Sequence, residues 1–268
     1  MTNNEKTFTL RDTYMYDVLV QRKKNGESLT IYMGEDDALY SDNGQSLWRV
    51  VDKKVFNVPD GVAVICDRAF FKCHYLRRIS LPNSLRVIGK EAFWQCYKLQ
   101  SVKLPKKLEV IGDYAFNCCE TINKLQIPPT VTEIGGSAFT FCKNLTKANI
   151  PDGVTDIKDF TFYWCMSLTD IYIPKSVKKI ENYAFSGCKS LKTVCIPNSV
   201  RTLGDGVFKF CESLESVYIP NSVRSIGKET FFGCKSLERI EIPKGSLSKF
   251  TLLLYEYKDK LVEINNTR

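Results

Sequence analysis

Apolar side chains return to the same slots of this chain every 23 residues. In the unit that runs from Pro174 to Ile196, the slots are Val177 and Ile180, then Ala184 and Phe185, Cys188, Leu191, Val194 and Ile196. One phenylalanine column keeps the step through Phe70, Phe93, Phe116, Phe139, Phe162, Phe185, Phe208 and Phe231. A cysteine column runs beside it from Cys73, Cys96, Cys119 and Cys142 through Cys165, Cys188 and Cys211 to Cys234, and prolines keep the same interval from Pro59 to Pro243. Self-similarity at a period of about 20–50 residues marks a stacked array. A single unit cannot bury its own apolar side, so its neighbours must. Polar and charged residues fill the positions between, and these differ from unit to unit.

Within a unit the pattern predicts two kinds of element. The tail Leu191-x-x-Val194-x-Ile196 alternates as a short strand, with Val194 and Ile196 pointing inward and Thr193 and Cys195 outward. Pro197 directly after it ends the strand, because proline donates nothing to a continuing ladder. From Ile180 to Cys188 the apolar residues are spaced by four and three, which predicts a short helix or single helical turns seating Phe185 in the core. Gly89, Gly112, Gly135, Gly204 and Gly227 follow the isoleucine slot and suit a tight entry into that stretch. Eight full units make an array over residues 59–245.

An open stack exposes apolar rungs at both ends and needs covers. Residues 1–58 predict a β cap: strands at Tyr14–Val20 and Ser28–Met33 around Lys23-Lys24-Asn25-Gly26, then Leu47–Val51 and Val55–Val58. Phe56 and Val58 occupy the inward slots of a rung before Pro59, and the Asp36-Asp37 pair reads as solvated loop. Residues 246–268 place Leu247, Phe250, Leu253, Leu254, Tyr257, Leu261 and Ile264 three and four apart, which predicts one amphipathic helix lying across the last rung. Ser246 or Ser248 is its expected N-cap.

The stretches IGKEAFWQCYKLQSVKLP (88–105), IGDYAFNCCETINKLQIP (111–128) and IGKETFFGCKSLERIEIP (226–243) resemble the BspA-like (Treponema-type) leucine-rich-repeat family. The resemblance covers about two-thirds of the chain. Departures are mild: Lys158 and Glu181 replace the glycine, Thr161, Val207 and Thr230 the alanine, and Ile122 a leucine. The resemblance implies an α/β leucine-rich-repeat solenoid with parallel strands on the concave face and short helical turns on the convex face. It also implies a surface or secreted adhesin recognising host matrix proteins or other cells. The opening MTNNEKTFTLRDTYMYDV has no apolar signal-peptide core, and taken alone predicts a cytoplasmic chain.

Chemistry is sparse in the 268 residues. The single histidine, His74, follows Cys73, and a Cys/His pair can serve nucleophilic catalysis. Here the periodicity buries the cysteine and leaves the histidine in a variable turn, so the pair reads as structural. Cysteines set one per rung form a line rather than a tetrahedral cluster, which argues against a metal. Stacked side by side, they point alongside one another rather than together, which argues against disulfides. Cys66, Cys118 and Cys195 lie outside the column, and Cys195, on the open strand face, is the expected reactive thiol. No phosphate-binding glycine loop is present, no cofactor is expected, and no run approaches the ~18 apolar residues of a membrane span.

Binding surfaces remain. The strand face exposes two columns, from which Arg78, Lys103, Lys124, Lys147, Tyr172, Tyr218 and Arg239 are the candidate partner-binding residues. An alternative patch on the convex side comprises Phe71, Trp94, Tyr163 and Trp164, unless these aromatics fold down over the turns. A net charge of +8 invites nucleic acid, but Arg77-Arg78, Lys106-Lys107 and Lys178-Lys179 occupy different repeat positions with acids interleaved, so no single stripe results. The sequence therefore points to a non-enzymatic, monomeric protein–protein interaction scaffold, with an adhesin as the leading form and an intracellular scaffold in a larger complex as the alternative. No transmembrane segment and no nucleic-acid partner are expected.

Overall fold

The computed structural model describes residues 31–41 and 43–265. Two parallel ladders run the length of the array. The first is made of the tails of the units: Val55–Asn57 and Arg78–Ser80, then Lys124–Leu125, Lys147–Asn149 and Asp170–Tyr172, then Thr193–Cys195, Ser216–Tyr218 and Arg239–Pro243. Register steps by one unit throughout, as in Lys147↔Lys124, Lys147↔Asp170 and Ser216↔Arg239. The second ladder uses two-residue strands at the isoleucine slot, from Val64–Ile65 and Val87–Ile88 to Ser225–Ile226. It was not announced by the sequence, since two residues are too few to show alternation.

The stretch from the isoleucine slot to the cysteine consists of single turns, with no helix in any unit. Alternate N–H groups divide their loyalty. Those of Ala69, Phe71 and Cys73 close turns onto the carbonyls three residues back, Cys66, Arg68 and Phe70, at 3.0–3.2 Å. Those of Arg68, Phe70 and Lys72 donate across to Lys90, Ala92 and Trp94 of the next unit at 2.8–2.9 Å. Arg68 (φ 58°) and Lys72 (φ 59°) take left-handed backbone to achieve this, and the same two positions do so unit after unit. Such residues carry strain of about 1–3 kcal/mol each, offset here by a continuous line of bonds between units. At Gly135 no positive φ is involved; a Cβ there would lie 2.2 Å from the Asp113 backbone nitrogen, so close approach is what demands glycine.

The core is a column rather than a globule. All eight repeat phenylalanines are buried. Their rings stack on one another with centroids 4.7–5.9 Å apart. Beside them each cysteine thiol from Cys96 to Cys234 donates to the carbonyl of the phenylalanine 26 residues earlier, for example Cys96 Sγ to Phe70 O at 3.1 Å. All eleven cysteines are free.

At the N-terminal side Ile31–Met33 and Ala38–Ser41 pair antiparallel, as do Ala38–Ser41 and Ser46–Val50, and the last of these runs parallel to Val64–Ile65. The predicted strand at Tyr14–Val20 and its turn lie outside the described residues. Asp36 and Asp37 are not simply solvated. Asp36 accepts from the Ala38 N–H at 3.2 Å and the Tyr40 hydroxyl at 2.5 Å, and Asp37 pairs with Lys53 at 3.0 Å. Phe56 meets Phe70 edge-on at 5.3 Å, turning the ring stack's first face inward.

The single C-terminal helix predicted over 246–264 is instead three short elements. A helix covers Leu247–Leu253, a 3₁₀ turn Tyr255–Lys260, and a strand Leu261–Ile264 adds in parallel to Arg239–Pro243. Spacings of three and four are shared by helical turns, while the run Leu261-Val262-Glu263-Ile264 favours an extended chain that can complete the ladder. Ser246 occupies the N-cap position without capping; its hydroxyl donates to the Pro243 carbonyl. Tyr257 closes the ring stack edge-on against Phe231 at 5.6 Å. No helix among the described residues is long and apolar enough to cross a membrane.

Candidate functional site: the strand face

Strand alternation sends Arg78, Lys124 and Lys147 outward on one column and Lys103 on the other, and all four are exposed. In register Lys124 and Lys147 lie directly side by side, an arrangement of like charges that weakens a sheet. Among the described residues none of the four enters an ion pair. The outward strand positions from Val55 to Asn149 contain no carboxylate, and Asp170, next to Lys147, is the first. Arg239 differs from its predicted companions. Glu241, two residues along the same strand, holds it at 2.9 Å and raises its pKa, so this cation is already engaged.

The two predicted tyrosines also part company. Tyr172 is 65% exposed, whereas Tyr218 is only 6% exposed and does not present a ring to solvent. Tyr218 stands in register between Cys195 and Glu241 and contributes to the wall of a cleft. The cleft has a volume of about 490 Å³ and is lined chiefly by Ile171, Tyr172, Ile196, Pro197, Cys195 and Tyr218. Lys175, Asn198 and Ser199 edge it. The buried Ser199 hydroxyl has no partner, yet Ser176 and Ser222 at the equivalent positions share that state, so it marks the repeat and not the cleft. Cys195 is exposed on this face, as its phase predicts. Sequence reasoning located the tyrosines and missed the cleft, which depends on how large side chains settle sideways between rungs.

The convex aromatics are half-buried and spent on packing. Phe71 stacks on Trp94 at 4.7 Å under Arg68 and Lys72, whose charges lie 5.2 and 5.3 Å from the Phe71 centroid. The Trp94 indole N–H donates to Asn117 at 2.9 Å. Tyr163 meets Phe141 edge-on at 5.6 Å. Trp164 lies over Gly187, where a Cβ would come within 2.9 Å of the indole. These rings therefore cover the turns between units, whereas Phe232, 51% exposed, remains open to solvent.

The Cys73–His74 pair has no catalytic geometry. His74 is exposed and its ring sits 5.2 Å from Tyr97, while Cys73 is buried and burial pushes its thiol far above the ordinary value. A thiol held protonated is neither nucleophile nor metal ligand. Among the described residues no three His, Cys, Asp or Glu side chains come together as a metal site.

A parallel-stranded solenoid with a buried ring column and one variable strand face defines the class as a leucine-rich-repeat protein, the kind of fold that serves as a protein-interaction scaffold. The model of the BspA type leucine rich repeat region matches residues 51–168 and 155–267, and the chain belongs to that family. A leucine-rich repeat protein of T. pallidum is similar in structure, at 26% identity and a TM-score of 0.53, with 88% of this chain and 96% of that one covered. A leucine-rich repeat protein from Bacteroides ovatus aligns at 24% identity and a TM-score of 0.48, covering 81% and 70% respectively. No curated protein matches the sequence.

Proposed function

We propose that this chain is a non-enzymatic adhesin-type scaffold whose strand face holds an acidic stretch of a partner protein, such as a host or matrix protein. The observation that carries the reading is the run of cations Arg78, Lys103, Lys124 and Lys147, without an ion pair among the described residues, on outward strand positions that hold no carboxylate as far as Asn149. Adjacent lysines cost folding energy in the free protein and are relieved by a bound anion. A long polyanion fits less well. Asp170, Glu215 and Glu238 follow on the later rungs and would repel a continuous phosphate backbone, so the face suits a short acidic segment.

Beads coated with the chain should adhere to a layer of extracellular-matrix proteins, and Lys124→Glu with Lys147→Glu should remove most of that adherence. Lys178→Glu with Lys228→Glu changes net charge equally from positions outside the strand tails and should leave it largely intact. Equal losses from both pairs, or no adherence by the parent chain, would overturn the proposal.

A further inference from the structure

The cleft lies beyond the cations on the same strand face, on the column of Lys103 and Asn149, beside the one that carries Lys124 and Lys147. Tyr172 pairs in register with Asn149, on the strand that carries Lys147, and Cys195 and Tyr218 follow on the next two rungs. Its volume of about 490 Å³ lies within the ~300–1,000 Å³ of sites that enclose a small ligand. Its walls are mostly apolar, and the exposed Tyr172 belongs to its first rung, next to the strand of Lys147 and Asn149. Charge and apolar recess thus succeed one another along the face, on neighbouring columns.

We infer, resting on the reading above, that the cleft seats one aromatic side chain of the same partner segment, at a fixed distance from its acidic run. Rungs repeat about every 4.8 Å and an extended peptide advances about 3.3 Å per residue. From Arg78 to Lys147 is three rungs, or about 14 Å, which matches an acidic run of roughly four or five residues. From Lys147 to the middle of the cleft is two further rungs, about 10 Å, or roughly three residues. Asp170, beside Lys147, marks where acids cease to be welcome. The partner motif is therefore four or five acidic residues with a tryptophan, tyrosine or phenylalanine about three positions beyond.

Three labelled peptides test this by fluorescence anisotropy at low salt: pentaglutamate in a Gly/Ser frame, the same with Trp three residues beyond the run, and the same with Trp eight residues beyond. The second should bind the full chain at least about tenfold tighter than the other two. Tyr172→Ala should abolish that gain while leaving pentaglutamate binding and the melting temperature unchanged. Lys124→Glu with Lys147→Glu should abolish binding of all three. If pentaglutamate binds in a salt-dependent way but Trp adds nothing at either position, or the gain survives Tyr172→Ala, the cleft assignment fails and the acidic-segment reading stands. If no peptide binds, both fail.

Discussion

A cysteine in the repeat column fills a small slot and also donates a bond, and burial makes the two roles one. Cys142 lies among the ring stack with its Sγ 3.3 Å from the Phe116 carbonyl, and burial raises its pKa well above the ordinary thiol value. Held protonated, it keeps its donor at any physiological pH, which alanine or valine could not offer. The neighbouring rings carry more of the energy. Phe139→Ala should cost about 3–5 kcal/mol, read as a lower urea midpoint, because it opens a gap in a column whose members touch above and below. At the surface, Glu212 accepts from Lys235 at 2.9 Å and pairs with Lys189 at 2.8 Å, and these cations lower its pKa to about 2. Its folded pKa being depressed, the contribution is complete above the unfolded carboxylate value of about 4.3 and is lost as pH falls toward about 2. Glu212→Gln should therefore be less stable than the parent in urea at neutral pH, with the difference vanishing near pH 2; a difference that persists in acid would show that charge is not its origin.

At the scale of elements, the strand tail was legible because Leu191-x-x-Val194-x-Ile196 recurs with its alternation intact, and the outward positions of Arg78, Lys124, Lys147 and Tyr172 follow from that phase. The turns were half-legible. Spacings of four and three occur both in a helix and in successive turns with left-handed residues at positions such as Glu91 (φ 53°) and Gln95 (φ 60°), and only the bonds to the next unit decide between them. The same ambiguity merged Leu247–Leu253 with the strand Leu261–Ile264 into one expected helix. The burial of Tyr218 escaped for a different reason: periodicity tells which way a side chain leaves the backbone but not what settles around it. Arg239 escaped similarly, since its ion pair with Glu241 belongs to one rung and not to the repeat.

For the whole molecule, stability is approximately a sum of units and the contacts between them, with extra weight at the ends. Phe250, Leu254 and Tyr257 lie over the last rung, and Leu261–Ile264 satisfies its edge. Removing residues 246–268 should lower the melting temperature by on the order of 10 °C, through lost apolar burial and an open ladder; a calorimetric scan matching the parent would show that the last rung stands unaided. The bonds across from Phe70 to Ala92 and from Phe93 to Ala115 are alike, because every unit presents its successor with the same set of donors and acceptors. A duplicated or deleted copy in the gene would thus splice into the pile while keeping the backbone bonds and the ring column. What it would alter is the gap between the lysines and the recess beyond them, so the copy number acts as a ruler that evolution can lengthen or shorten one notch at a time.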